Sequence, residues 1–273
     1  RAGWTGFFTC GDRDAVYALL INTIILNKNR WDIVVLQRLR NSSEVLQFCS
    51  ILQLRHVGYS LIKMGKLYGL NKYDVFSEYF KSRKSKNRDN YLRYKRRLEK
   101  IGKLELRTSD DLEPSEVLAN IKKISCNSWQ GEEDSSIFSE KNPITNIHKF
   151  HADIIKNKHK RICPISLILM FDGEPISYRY GIRINEHYTS YATEYDNTHK
   201  KNAPGLILLY QSMEYLFGKN VNQIDYGIGE GRLKTETTDW EEDLYTIYIF
   251  KNSIKSNLLK LLRLIKFSLN KSA

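Results

Sequence analysis

The sequence predicts an α/β (α+β) fold with a mixed, mostly antiparallel sheet flanked by helices. Two observations carry this. Residues 164–195 read as three strand-like runs, PISLILMF, PISYRYGIRI and HYTSYATEY. The turn signals Asp172-Gly173 and Asn185-Glu186 join them into an antiparallel meander. After the meander, Pro204-Gly205 opens a helix over 204–218, and a strand over 221–226 follows it.

Residues 1–8 read as a strand end or loop. Asp12 is a suitable N-cap for a helix over 12–28, with Val16, Leu19, Leu20, Thr23 and Ile24 at helical spacing. The β-branched run WDIVVLQ (31–37) predicts a buried strand, Asn41-Ser42-Ser43 a helix start, and 55–64 a weak strand. Residues 73–102 are helical and basic. Tyr91, Tyr94, Leu98 and Ile101 form an apolar stripe, and Gly102 is the stop. KLELRT (103–108) alternates as a strand, and Glu113-Pro114 starts a helix running to Trp129. A further helix over 143–158 leads into the meander, and YTIYIF (245–250) is a late strand. Residues 254–270 make a basic amphipathic helix, either docked on the body or facing a membrane or partner.

The chain has 273 residues, 43 Lys and Arg against 31 Asp and Glu, and a formal charge of +12. That balance suits an anionic partner: nucleic acid, a membrane surface or a phosphate-rich cofactor, or else only a solubilising surface. The basic face of 82–100 is either a solvated face on a packed helix or a patch facing nucleic acid or a polysaccharide. Cys10, Cys49, Cys126 and Cys163 are widely spaced and form no C-x-x-C pair, and the six His are scattered. No metal is therefore expected, and reduced thiols are. No apolar run reaches the roughly 18 residues of a spanning helix. The chain opens on Arg1 rather than Met, which leaves room for an upstream targeting segment.

Three ordered motifs resemble a known family. SRKSKNRDNYLRYKRRLEKIG (82–102) resembles a basic helix S-x-K-x-R…L-R-R-x-x-R-x-L-E-x-x-G. Asp196 leads to Pro204-Gly205 as in a D…P-G step, and DYGIGEGRLK (225–234) resembles D-F-G-x-G-x-x-x-Y-K. With the element order, these resemble the GNAT acyltransferase superfamily, in particular its polysaccharide- and cellulose-biosynthesis acetyltransferases with two GNAT-like halves. The aminoacyltransferases of peptidoglycan bridges are related and share the two halves. The resemblance implies a partial first half over 1–72, connecting helices over 73–102, an acyltransferase domain over 103–252 and a terminal helix over 253–273. It departs from the family at the phosphate motif R/Q-x-x-G-x-G/A, replaced by KNAPG, and at Leu233, where Tyr is usual.

What the resemblance implies is an acyl-CoA donor, acetyl-CoA in the first instance, and a sugar, nucleotide-sugar or amine acceptor in polysaccharide or cell-envelope biosynthesis. Aminoacyl-tRNA is the alternative donor, and a non-catalytic module is a third reading. The enzyme would be cytoplasmic or peripheral to a membrane. The pyrophosphate would lie at the N–H groups of Gly205 and Leu206, with Lys200, Lys201 and Asn202 beside it. Glu194, Asp196 and Asp225, at the ends of two splaying strands, would flank the reacting carbon, with Asp225 either base or cap of the glycine turn. Alternation puts Glu194 and Asp196 on one face and Tyr195 on the other. Tyr191 or Tyr195 would protonate the leaving thiolate. Lys234 and Arg232 would orient the acceptor or pin the turn, and Trp129 would contact the acceptor. No Ser, His and Asp constellation or nucleophile elbow is recognisable, which favours direct transfer.

Overall fold

The computed structural model describes residues 12–40, 43–157, 162–229, 231–251 and 253–261. The segment 1–8, Cys10 and most of the terminal helix lie outside them. The chain divides into two compact units, Tyr68–Glu241 and, joined in space, 2–67 with 242–273.

The first unit is built on the meander. Strands β4 (Cys163–Phe171), β5 (Glu174–Ile184) and β6 (His187–Tyr195) pair antiparallel in sequence order, and β3 (Leu104–Thr108) pairs antiparallel on β4. Asp172 and Gly173 both take positive φ, as a two-residue hairpin of right-handed twist requires, and Asn185 does the same at the second turn. Strand β7 (Gln223–Ile228) adds to β6 in parallel after a crossover helix, α8 (Pro204–Gly218). The expected mixed, mostly antiparallel sheet with flanking helices is what forms.

Both faces of this sheet are covered. On one, α8 packs with α3 (Phe76–Ser82) and α4 (Ser85–Glu99) around Leu167, Leu169, Tyr188, Ile224 and Tyr226. Rings of Tyr79, Phe80, Tyr91, Tyr210 and Phe217 meet here at 4.6–6.1 Å between centroids. Each such pair adds about 1 kcal/mol beyond area burial. On the other face, α5 (Pro114–Cys126) and α7 (Ile147–Lys156) pack on Ile168, Tyr178, Tyr180 and Ile182. A one-turn helix, α6 (Trp129–Glu132), follows α5.

The second unit holds α1 (Arg13–Leu26), β1 (Ile33–Arg40) and α2 (Ser43–Leu54). It also holds most of β2 (Tyr59–Asn71) and of β8 (Trp240–Phe250). β1 pairs antiparallel with β8, and Tyr17, Ile21, Phe48, Leu52 and Ile247 form its core.

Several expectations shift. The buried face of α1 is Tyr17, Ile21 and Ile24, whereas Leu19 is exposed. Asp12 caps that helix as expected, accepting from the N–H groups of Asp14 and Ala15. The α4 stripe ends at Leu98, and Ile101 is exposed because the helix stops at Glu99. β2 runs to Asn71, well past the weak strand expected, and a short α9 (Arg232–Thr237) follows the glycine turn. Residues 254–261 are helical, and Ile254, Leu258 and Leu261 are exposed there. No described helix is long and apolar enough to cross a membrane.

A bulge between Tyr180 and Gly181 leaves Tyr191 unpaired in β6. A Cβ on Gly181 would stand 2.4 Å from the Thr189 carbonyl oxygen and from the Tyr188 ring. Gly181→Ala therefore has to push β6 off β5. The expected outcome in urea unfolding is a loss of about 2–3 kcal/mol.

Candidate active site

The parallel ladder between β6 and β7 is short. It joins His187, Tyr188 and Thr189 to Gln223, Ile224 and Asp225. β6 runs on to Tyr195 and β7 to Ile228. Past the ladder β6 stays with β5, pairing Thr193 with Arg179 and Tyr195 with Ser177, and Asp196 N–H then donates to Ile176 O. A gap thus opens between two strands of one sheet, with backbone edges on both sides available to a ligand.

Helix α8 starts where β6 ends. Asn197–Asn202 form a 3-10 turn capped by Asp196, whose Oδ1 accepts from Thr198 N–H and Oγ1–H. Ala203, held at φ 49°, then caps α8 through its carbonyl, which accepts from Leu206 and Ile207 N–H. A non-glycine residue in this conformation is strained by about 1–2 kcal/mol. Pro204 has no N–H, so Gly205 offers its N–H at the positive end of a largely buried 15-residue helix. Lys200 and Lys201 are exposed beside it, and the Tyr195 ring packs against Gly205.

On the β7 side, Gly227 has φ 76° and donates its N–H to Asp225 Oδ1 at 2.7 Å. Lys234, on α9, donates to Gly227 O at 3.2 Å and Ile228 O at 2.9 Å, pinning the turn. Burial, and then the positive charge of Arg179, push the Lys234 pKa down to about 8, against the opposing pull of Asp225. Arg179, on β5, is 3% exposed, and its guanidinium lies 5.1 Å from the centroid of the Tyr226 ring on β7.

A family model described as an acetyltransferase (GNAT) domain matches residues 85–235, more than half of the chain. The chain belongs to the GNAT family. It is an acyltransferase. No curated protein matches this GNAT chain significantly. Among solved structures it is similar to the C-terminal domain assigned to a lysylphosphatidylglycerol synthetase from Agrobacterium fabrum. The TM-score is 0.59 at 11% identity, over 92% of this chain and 77% of that one. It is also similar to FemX, at TM-score 0.57 and 11% identity over 88% and 78% of the two chains. A conserved protein from Bacteroides thetaiotaomicron gives 0.55 and 15% over 89% and 77%. At these identities the likeness is one of fold.

The residues singled out in the sequence fall into separate groups in this GNAT fold. Gly205, Leu206, Lys200, Lys201 and Asn202 gather at the start of α8, although the Leu206 N–H is already spent on Ala203. Asp225 and Lys234 meet at the glycine turn. Arg232 points away from it into an i,i+4 pair with Glu236 at 2.8 Å. Trp129, at the start of α6, is 45% exposed.

Glu194 was expected beside the reacting carbon, and it lies instead under α5. It is 2% exposed and accepts from Ser128 and Ser136 at 2.7 Å and from Tyr178 at 2.6 Å. Burial, and the carboxylate beside it, hold the Tyr178 hydroxyl protonated, far above its usual range. Asp196 is turned to the same side, accepting from Asn127 Nδ2 at 3.0 Å. Burial raises the Asp196 pKa, but the bonds from Thr198 and Asn127 outweigh it and leave the carboxyl below its ordinary value. Tyr191, the bulged residue, stacks with His151 and Tyr180 in that layer, away from α8. Tyr195 points to α8, as alternation required.

Arg179 escaped the sequence reading. In PISYRYGIRI it alternates with Tyr178 and Tyr180 and so reads as a solvent-facing position. The signal was the crossover helix, which covers the face that alternation assigns to water.

Glu194 ties the α5–α6 corner and Ser136 to the sheet, so its removal should act on stability. Glu194→Ala, which takes the shared acceptor from three buried hydroxyls, is expected to cost about 3 kcal/mol, and Glu194→Gln about 1 kcal/mol. Urea denaturation of the two variants checks this order.

Proposed function

We propose that the protein transfers an acetyl group from acetyl-CoA to an amine or hydroxyl of a sugar, nucleotide sugar or amine. The setting we assign is polysaccharide or cell-envelope biosynthesis. The observation that carries the donor assignment is the early end of the β6/β7 ladder next to the start of α8. The pyrophosphate sits at the Gly205 N–H, with Lys200, Lys201 and Asn202 around it. The pantetheine arm runs down the free edge of β6 towards Ser190. The thioester carbonyl then reaches the Gly227–Ile228 turn. Lys234 as an ammonium has three N–H donors, two of them committed to the turn, and the third stabilises the oxyanion. Asp225 sets the turn and the charge around Lys234. The acceptor attacks the thioester directly and coenzyme A leaves as the thiol. Glu194 and Tyr191 take no part in this scheme.

A second reading uses aminoacyl-tRNA as donor. The observation in its favour is a groove of about 430 Å³ on α4, lined by Arg93, Arg96, Arg97 and Lys100 with Asp89 and Leu92. Filter binding at low salt separates the two readings. Retention of tRNA that falls steeply with added salt, and survives excess coenzyme A, supports the second.

Calorimetry with acetyl-CoA tests the first reading. Saturable binding is expected, weakened about tenfold when Lys200 and Lys201 are both replaced by Ala. Absence of binding by the folded protein sinks it. The pH dependence follows from Lys234. Its ammonium form predominates below about 8 and is lost above it. The expected kcat/KM is therefore flat at neutral pH and falls as pH rises through about 8. Lys234→Arg removes that limb, and a profile that rises through pH 8 would make Lys234 a base instead.

A further inference from the structure

Arg179 is a buried cation with unsatisfied N–H groups. It is 3% exposed, and its Nε and Nη1 have no hydrogen-bonding partner among the described residues. Its one described contact of a polar kind is the Tyr226 ring. The half-buried Arg83 is treated differently, bonding Asp239, Tyr73 and the Thr238 carbonyl. The buried carboxylate of Glu194 has three donors. An unpaired buried charge costs several kcal/mol, and a neutral side chain of similar size would avoid that cost.

The place of this cation narrows its ligand. Arg179 stands on β5 opposite Thr193 and reaches across to Tyr226 on β7. Thr193 and Tyr226 both lie past the last ladder pair, Thr189 with Asp225, so Arg179 stands beside the β6/β7 gap. The positive charge of Arg179 pushes the Lys234 pKa down, and among the described residues Asp225 acts on Lys234 the other way. In the acyl-CoA reading the donor's phosphates sit at the start of α8 and the oxyanion on Lys234, so Arg179 is left for a further anion.

We propose that Arg179 binds a carboxylate carried by one of the two substrates at the reaction centre. A planar guanidinium matches a carboxylate with charge-assisted bonds, and a desolvated site strengthens them. The carboxylate belongs either to an acidic acyl group, such as a dicarboxylic half-thioester, or to an acceptor such as an α-amino acid. The inference rests on the gap being the donor site.

The test has two arms. In the first, calorimetry compares succinyl-CoA with acetyl-CoA. In the second, acyl transfer from acetyl-CoA compares α-amino acids with their amides as acceptors. A preference of tenfold or more for the carboxylate-bearing partner is expected in one arm and identifies its source. Arg179→Met should erase that preference, while its Tm equals or exceeds that of the wild type, because an unpaired buried charge has been removed. No preference in either arm, or a preference that survives in Arg179→Met, overturns the proposal with the donor reading intact. Failure of the wild type to bind either thioester overturns both. If Arg179→Met is unfolded, Arg179→Gln is compared. A large loss of Tm in both variants assigns Arg179 a structural role and ends the proposal.

Discussion

The short parallel ladder between β6 and β7 governs the rest of the first unit. Two parallel neighbours in a sheet ordinarily share hydrogen bonds along their common length. Here the bonds stop at Thr189 and Asp225 because β6 follows β5 through the bulge at Tyr191 while β7 turns away at Gly227. Backbone groups left without a partner are costly when buried, so the two edges have to face water or a ligand. The bulge, the positive φ of Gly227 and the Lys234 bonds to the turn all hold that opening in place.

Two buried charges on opposite faces of the sheet show how burial alone does not define a role. Glu194 is saturated by three hydroxyls and fixes the α5–α6 corner. Arg179 has a ring beneath it and unpaired N–H groups. The first arrangement is complete without a ligand and the second is not. Sequence gives both residues the same appearance, a charged side chain within an aromatic strand.

Much of the fold was legible because it rests on local chemistry. Asp172-Gly173 and Asn185-Glu186 set the meander, and Pro204-Gly205 marked the crossover helix. The family resemblance placed Asp196 and the KNAPG segment ahead of it. What stayed hidden depends on which helix covers which face. Alternation correctly separated Glu194 from Tyr195, yet it carries no information on whether α5 or α8 lies above each. The same limit hid Arg179. The short α9 was missed because its six residues follow glycines and lack an apolar period.

The central claim is that the opening past Thr189 and Asp225 receives an acyl-CoA. A crystal structure with a non-hydrolysable acetyl-CoA analogue tests it most directly. The account predicts pyrophosphate oxygens on the Gly205 N–H and pantetheine amides hydrogen-bonded to β6 between Ser190 and Thr193. The carbonyl oxygen should lie within reach of Lys234 Nζ. An analogue bound away from this opening, with the two strand edges still empty, would contradict it.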